Sequence, residues 1–250
     1  MPGSKEGRVA LITGSAASIG QAYAQRLAED GAKIVVCDVA DASETIELVR
    51  AAGSEAIGVK CDVSSADDVA AAAAAAFDAF GKVDIVVHNA AIYPIAMFAD
   101  MTFVEWKRVL EVNVDSLFHL GHEFFPGMRE RGWGRVVCIA SNTFHAGIGG
   151  MSHYVTSKGG VIGFVRALAA ELGEDGVTIN AVAPSLVRSQ GTSQGVHDEM
   201  GLFEYVASLQ AIKRTEVPAD LVGAISFLSS DDAGFITGQT LPVDGGWVRV

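Results

Sequence analysis

The sequence predicts one α/β domain built on a doubly wound parallel sheet of seven strands. Seven short runs rich in Val and Ile alternate with segments of helical length and pattern, which is typical of a parallel sheet covered by helices. Some runs, such as IVVCD and IVVHN, are apolar at nearly every position, as expected of strands with helices on both faces. With 250 residues, 50% of them hydrophobic, the chain can bury a large core as a single domain over 1–250.

The strands are predicted at residues 9–13, 33–38, 56–60, 83–88, 135–140, 178–183 and 240–243. Helices are predicted at 21–30 and 65–80, which glycines end, and over the long stretches 102–131 and 154–173. Residues 185–216 break the alternation, because Gly, Ser, Thr and Gln dominate there. A long irregular segment after a strand is typical of a mobile substrate loop, and a plain surface loop is the alternative.

Composition excludes several classes of function. The net charge is −12 and no dense Lys/Arg cluster occurs, so nucleic-acid binding is not expected. The three cysteines form no CxxC pair, and His119 and His122 have no convincing third ligand, so we expect buried thiols and no metal site. The first residues form no apolar leader and no run of eighteen apolar residues occurs, which predicts a cytoplasmic protein that does not bind membranes.

The stretch TGSAASIG at 13–20 predicts a phosphate-binding turn between a strand and a helix. The first N–H groups of a helix lack internal partners and carry a partial positive charge, so they bind a pyrophosphate that can come close. Gly14 would supply the tight turn and Gly20 the close packing of helix on strand. Ser18 stands where a glycine is usual, and its hydroxyl could cap the helix or contact a phosphate oxygen. A turn with a purely structural role is the alternative.

Two aspartates follow the next two strands. Asp38 ends the second strand, 24 residues after Gly14, where a carboxylate can bind the ribose hydroxyls of an unphosphorylated dinucleotide. About 4 Å from a 2′-phosphate its charge would cost on the order of 4 kcal/mol, which favours NAD over NADP. Asp38 could instead cap the following turn. Asp62 could meet the adenine edge or cap the helix that starts near Ser65.

Tyr154 and Lys158 are four residues apart, which places both on one face of a helix. A free tyrosine has a pKa near 10, and a neighbouring ammonium, together with the charge of oxidised nicotinamide, would lower it toward the working range of a base. Ser141 follows the fifth strand, 13 residues before Tyr154, and Asn113 lies in the long helix upstream.

Over almost its whole length the sequence resembles the short-chain dehydrogenase/reductase family. The motifs that carry this resemblance are TGSAASIG, Asp38, Asp62-Val63, His88-Asn89-Ala90-Ala91, Asn113, Ser141, Tyr154 with Lys158, Pro184-Ser185 and the ending GQTLPVDGG. The resemblance implies a Rossmann-type fold and a homotetramer or dimer, built in part through the helices at 102–131 and 154–173. It also implies a catalytic tetrad, formed by Asn113, Ser141, Tyr154 and Lys158.

In the roles that the resemblance implies, Tyr154 removes the hydroxyl proton of an alcohol and Ser141 holds the substrate oxygen. Lys158 bonds the nicotinamide ribose, and Asn113 anchors a water that relays the proton. The implied cofactor contacts are Gly14, Ser18, Ile19, Gly20, Asp38, Asp62, Val63, Asn89, Ala90, Tyr154, Lys158, Pro184 and Val187. Departures from the family pattern at Ser18, His88, Ala91 and Ser185 are small or polar replacements that could weaken cofactor contacts.

The resemblance also places a mainly apolar and aromatic wall around the substrate. Its residues are Tyr93, Phe144, His145, His153, Leu186 and Phe203, with Ile92, Pro94, Met151 and Leu202. Such a wall predicts a hydrophobic or ring-bearing alcohol and its ketone. Further segments resemble the subgroup of 1-phenylethanol dehydrogenase or pyridoxal 4-dehydrogenase, and both remain open. His145 and His153 could equally be ordinary histidines at the rim.

The predicted function is NAD-dependent hydride transfer between a hydrophobic or aromatic alcohol and its carbonyl partner. One alternative is a ketone reductase that uses NADPH. Another is a non-catalytic dinucleotide-binding module, which the altered glycine loop suggests.

Overall fold

The computed structural model describes residues 5–193 and 201–249. Within them, seven parallel strands form one sheet in the order β3-β2-β1-β4-β5-β6-β7. The strands are β1 (Val9–Thr13), β2 (Lys33–Asp38), β3 (Ala56–Lys60), β4 (Ile85–His88), β5 (Gly134–Ile139), β6 (Val177–Pro184) and β7 (Thr240–Val243). The predicted fold class is confirmed, and the predicted strand ends differ from these bounds by at most two residues.

Helices cover both faces of the sheet. They are α1 (Ser18–Glu29), α2 (Ser43–Ala51), α3 (Ala66–Phe80), α4 (Phe103–Leu110), α5 (Ser116–Glu130), α6 (Thr143–Ala146), α7 (Ser152–Leu172), α8 (Gln190–Ser193), α9 (Leu202–Leu209) and α10 (Pro218–Leu228), with 3₁₀ turns at Gly173–Asp175 and Asp231–Ala233. None of these helices, in the part of the chain that the structure describes, is long and apolar enough to cross a membrane.

The core consists of two layers, one on each face of the sheet. Leu11 packs with Phe124 of α5 and Val161 of α7 on one face, whereas Ile12 packs with Leu27 of α1 and Ile225 of α10 on the other. Successive strand residues point to opposite faces, so a strand buried on both sides needs apolar residues throughout. Strand β1 is buried at all five positions, and the three cysteines are buried and free.

The chain runs outward from β1 to β3 and then returns to β4 on the other side of β1. Loops after the carboxyl ends of β1 and β4 therefore diverge and leave a crevice between them. Ligands of doubly wound sheets bind in such crevices.

The predicted helix over 102–131 is interrupted. A π-helical turn, Glu111–Asp115, separates α4 from α5, and such single turns are frequent at functional sites. The spacing of apolar residues in the sequence does not predict this turn, because α4 and α5 on either side of it each keep the ordinary helical spacing.

The prediction that 185–216 is irregular is wrong for two parts of this segment. Helices α8 and α9 lie within it, and Val187 pairs with Glu216 in an isolated bridge. Leu202, Val206 and Leu209 recur at helical spacing, a signal that the Gly- and Ser-rich surroundings obscured. Residues 194–200 of the predicted loop lie outside the described residues.

Candidate active site

A cleft of about 1170 Å³ lies at the carboxyl edge of the sheet. It begins beside Asp38 and Asp62 at one end, passes the β1–α1 loop, and reaches Tyr154 and Lys158. Every predicted cofactor residue lines this cleft: Gly14, Ser18, Ile19, Gly20, Asp38, Asp62, Val63, Asn89, Ala90, Tyr154, Lys158, Pro184 and Val187. The structure thus gathers in one cleft residues that are as much as 173 positions apart in the sequence.

The β1–α1 loop needs glycine at positions 14 and 20. Gly14 has a φ of +64°, and a Cβ there would lie 2.8 Å from the Ala90 Cα atom. A Cβ on Gly20 would collide with the Gly14 carbonyl oxygen. Gln21 makes the first helical bond, to the Ala17 carbonyl, so the amides of residues 18–20 precede it and can bind a pyrophosphate.

The loop is fixed from two other elements. The Asn89 Nδ2 atom donates to the carbonyl oxygens of Thr13 and Gly14, at 2.9 Å each. The Thr13 hydroxyl accepts from the amides of Asn89 and Ala90 at 3.0 Å, and Thr45 of α2 donates to the Ser15 and Ala16 carbonyls. The positioning roles of Thr13 and Thr45 escaped sequence analysis, since a lone threonine gives no signal of its own.

Ser18 is strained rather than serving as a cap. Its φ is +62°, and among the described residues it is the one position other than glycine with a positive φ. The cap of α1 is Ala17, which makes no side-chain cap bond, so the capping alternative for the Ser18 hydroxyl is wrong, and the contact with a phosphate oxygen stays a prediction. A side chain in the left-handed region costs on the order of 1 kcal/mol, which explains why glycine suits this position.

Ser18→Gly is therefore expected to stabilise the protein, by about 0.5–1 kcal/mol after the greater unfolded-state entropy of glycine is subtracted. Urea unfolding of the parent and the variant measures this difference. Ser43→Gly is the matched control, because Ser43 is also the first residue of a helix and has no positive φ. It should destabilise the protein, and a Ser18→Gly variant as unstable as the control would contradict the account.

The two strand-end aspartates make different bonds. Asp38 accepts hydrogen bonds from the amides of Ala16, at 2.9 Å, and Ala40, at 3.0 Å, so it joins the phosphate loop to the end of β2. Asp62 accepts from Ser64 and from the Arg108 guanidinium. The cap of α3 is Ser65, whose hydroxyl accepts from the Asp68 amide, so the alternative capping role of Asp62 is wrong.

Tyr154, Lys158 and Ser141 lie together in the cleft. The Lys158 Nζ atom lies 5.5 Å from the centre of the Tyr154 ring and donates to the Ile139 carbonyl at 2.7 Å. Ser141, which follows β5, accepts at its hydroxyl from the Thr143 amide and hydroxyl. Residues of α7 and of the β5–α6 loop thus place a phenol, an amine and a hydroxyl together, as predicted.

Asn113 does not line the cleft. It is fully buried in the π-helical turn, its Oδ1 atom accepts from the Ile92 amide, and its Nδ2 atom donates to the Ile92 carbonyl and to the Ser157 hydroxyl. Ser157 in turn donates to the Tyr154 carbonyl. The side chain of Asn113 thereby connects the β4–α4 segment to the helix that carries Tyr154.

Burial controls the protonation of the two central groups. It raises the pKa of Tyr154 to about 12, against a smaller lowering by the Ser141 hydroxyl. Burial also lowers the pKa of Lys158 to about 8. The predicted lowering of the phenol's pKa by Lys158 together with oxidised nicotinamide concerns the complex, and in the protein alone desolvation outweighs every other cause. A positive charge on a bound ligand would act in the opposite direction.

The outer part of the cleft is apolar. Tyr93 and Leu186 line it as predicted, and the Tyr93 and Tyr154 rings form an edge-to-face pair with a centroid distance of 6.2 Å. Helix α9 adds a wall that sequence analysis largely missed. The lining residues from this helix and from the chain end are Leu202, Tyr205, Val206, Leu209, Trp247 and Val248.

Four predicted substrate residues do not line the cleft, nor does Pro94. Phe203 is buried beneath the Arg188 guanidinium, which lies 4.1 Å from its ring centre. His153 is fully buried and accepts from the Tyr154 amide, so it is not a histidine at the rim. Phe144 packs over Gly159, with the His145 ring 5.1 Å from it. These four residues lie on α6, α7 and α9 and are not among the residues of those helices that line the cleft.

Glu216 is a buried acid that sequence analysis missed. Its Oε2 atom accepts from the Ser185 amide at 2.7 Å, and its backbone pairs with Val187. Burial raises the pKa of this carboxyl to about 8. Glu216 therefore holds in place the segment 184–187, which forms one wall of the cleft next to Lys158.

Comparison with known proteins gives consistent matches. The family described as enoyl-(acyl carrier protein) reductase matches residues 14–248. The short-chain reductase protein NovJ of Streptomyces niveus is 35% identical over 95% of this chain and 93% of its own length. The 3-oxoacyl-[acyl-carrier-protein] reductase FabG of Vibrio cholerae is 34% identical over 98% of this chain and 99% of its own length.

A solved structure is similar as well. It is that of a protein assigned as a short-chain alcohol dehydrogenase from Sinorhizobium meliloti 1021, which is 30% identical and superposes with a TM-score of 0.93. The match covers 97% of this chain and 96% of the other.

Proposed function

The chain belongs to the short-chain dehydrogenase/reductase family, and we propose that it transfers hydride between NAD(H) and an uncharged hydrophobic or aromatic alcohol/carbonyl pair. The main support for this proposal is that one continuous cleft contains all the groups that such a reaction needs. It joins a carboxylate at Asp38 to the Tyr154, Lys158 and Ser141 groups and then to an apolar outer wall.

The residues present fit a nicotinamide dinucleotide. The amides at the start of α1 suit a pyrophosphate, and Asp38 lies where ribose hydroxyls can donate to it. No Lys or Arg occurs between positions 34 and 49, and Arg108, which also lines the cleft, donates to Ser64 and Asp62, so a 2′-phosphate would meet the negative charge of Asp38. This favours NAD over NADP. The bound nicotinamide supplies the acceptor or donor of hydride.

In alcohol oxidation, Tyr154 as phenolate takes the hydroxyl proton while the carbon–hydrogen bond is cleaved. The Ser141 hydroxyl donates to the substrate oxygen and keeps it beside Tyr154. Lys158 places a positive charge beside the same phenol. Asn113 connects α7 to the β4–α4 segment through Ile92. In reduction, Tyr154 donates its proton to the carbonyl oxygen. Because Tyr154, Lys158 and Ser141 lie together, a purely dinucleotide-binding module is disfavoured.

The substrate end favours a neutral molecule. The described residues that line it, from α8, α9 and the chain end, carry no charged side chain. A carboxylate or phosphate there would lose hydration without an ionic partner among these residues. Apolar walls with a few hydroxyls suit an aromatic or alicyclic secondary alcohol, which agrees with the resemblance to the subgroup of 1-phenylethanol dehydrogenase or pyridoxal 4-dehydrogenase.

The test is a panel of alcohols with NAD, followed by the absorbance of the reduced cofactor. Aromatic and alicyclic secondary alcohols should have kcat/KM values at least about tenfold above those of hydroxy acids and 3-hydroxyacyl-CoA thioesters. Faster turnover of the charged compounds would overturn the substrate proposal.

A ketone reductase is the second candidate, because the relatives named above are reductases. Carbonyl compounds reduced with NADH and NADPH side by side distinguish the two directions and the two cofactors.

We further propose a homotetramer or dimer, since Phe103, Val104 and Phe118 on α4 and α5 are exposed apolar residues of the kind that a second copy would cover.

A further inference from the structure

Arg108 of α4 crosses to the loop after β3. Its Nη1 atom donates to the Ser64 hydroxyl at 2.6 Å, and its Nη2 atom donates to the Asp62 Oδ2 atom at 3.0 Å. The Ser64 hydroxyl donates to the Asp62 Oδ1 atom at 2.6 Å. These three side chains form a closed ring of hydrogen bonds, and both Arg108 and Asp62 line the end of the cleft near Asp38.

The ring keeps Asp62 ionised and in one orientation. Bonds from Ser64 lower the pKa of the Asp62 carboxyl, with a further contribution from Arg108. An ionised carboxylate accepts about four hydrogen bonds. The Ser64 amide and hydroxyl and the Arg108 guanidinium supply three of them. Asp62 can thus take one more donor, such as an exocyclic amino group at the edge of a base.

We propose that Arg108 is a positioning residue that makes the cleft select adenine over bases without the exocyclic amino group. It fixes the Asp62 carboxylate so that the remaining acceptor site meets an N–H donor. The inference rests on the proposed binding of a nicotinamide dinucleotide. Arg108 acts here through Asp62, and not as a general positive charge.

The experiment compares the binding of NADH with that of reduced nicotinamide hypoxanthine dinucleotide, measured by the fluorescence of the reduced nicotinamide. Hypoxanthine has a carbonyl oxygen in place of the amino group and carries its N–H donor at the neighbouring ring nitrogen, so a carboxylate fixed opposite the amino position meets an acceptor there. The parent protein should bind NADH at least about tenfold more tightly, as expected for a hydrogen bond to a charged group.

In Arg108→Gln this preference should fall to about threefold or less, mainly through weaker binding of NADH. Arg108→Lys retains the charge but not the two-atom geometry, so it should lose most of the preference as well. Lys107→Gln is the matched control. Lys107 is the neighbouring cation on α4, pairs with Glu111 and does not line the cleft, so the preference should persist.

The outcomes distinguish a failure of the proposed function from a failure of the role proposed for Arg108. If the parent binds neither dinucleotide, the proposed function fails. If the parent binds both equally, or if Arg108→Gln weakens both by the same factor, the positioning role of Arg108 is overturned while dinucleotide binding stands. Should Arg108→Gln not fold, Ser64→Ala tests the same ring without a change of charge. It should lower the preference, and an unchanged ratio would overturn the inference.

Discussion

Replacing Tyr154 with Phe is expected to lower kcat/KM for alcohol oxidation by about 100- to 10,000-fold, the usual contribution of a positioned general base. The variant loses one oxygen atom and keeps the ring that faces Tyr93. Its affinity for NADH should therefore change by less than about threefold. Initial rates and a fluorescence titration measure the two quantities on the same preparation.

Tyr23→Phe is the control for this substitution. Tyr23 is fully buried in α1, does not line the cleft, and its hydroxyl has no hydrogen-bond partner among the described residues. Loss of that hydroxyl should leave turnover unchanged. If Tyr154→Phe also oxidised alcohols at the parent rate, Tyr154 would not be the base.

The pH dependence has a defined sign. Burial raises the pKa of Tyr154 to about 12 in the protein alone, so the phenol is protonated at neutral pH. Oxidation needs the phenolate, and its rate should rise with pH until the pKa of the complex with oxidised cofactor is passed. The added positive charge makes that pKa lower than the value in the protein alone. Residual activity of Tyr154→Phe should lack this rise.

Replacing Asp38 with Asn is expected to shift the preference for NADH over NADPH by about 100- to 1,000-fold toward NADPH. The charge that opposes a 2′-phosphate at about 4 Å is worth on the order of 4 kcal/mol. Dissociation constants of both cofactors, measured for the parent and the variant, give the ratio. The reason is electrostatic, so the shift should shrink at high salt.

Asp41→Asn removes the same charge three residues away. Asp41 is exposed and accepts hydrogen bonds from Ser43, and this change should leave the cofactor ratio within about threefold. A parent protein that already prefers NADPH would contradict the assignment of NAD, whatever the variants do.

The strands and the catalytic helix were predictable because their signals are local. Apolar runs fix β1 and β4, and a spacing of four residues places Tyr154 and Lys158 on one helical face. The carboxyl ends of parallel strands meet at one edge of the sheet, which brings Asp38 and Asp62 to the same cleft. These inferences use only periodicity and topology.

Other features depend on tertiary packing and were missed or misplaced. The sequence does not reveal that the side chains of Phe203 and His153 are buried, since either of two neighbouring residues on a helix can face a cleft. The π-helical turn at Asn113 and the positive φ of Ser18 are backbone features without a composition signal. Arg108 is an ordinary surface-type residue until the fold brings α4 beside Asp62.

The central claim is that Tyr154, Lys158 and Ser141 meet the reacting end of a nicotinamide cofactor. A crystal structure of the protein with NAD and a slowly reacting alcohol tests it most directly. The account predicts a substrate oxygen within about 3 Å of both the Tyr154 and Ser141 hydroxyls, with its carbon about 3–3.5 Å from C4 of the nicotinamide. A nicotinamide ring bound elsewhere, too far from Tyr154 for a single substrate to touch both, would contradict it.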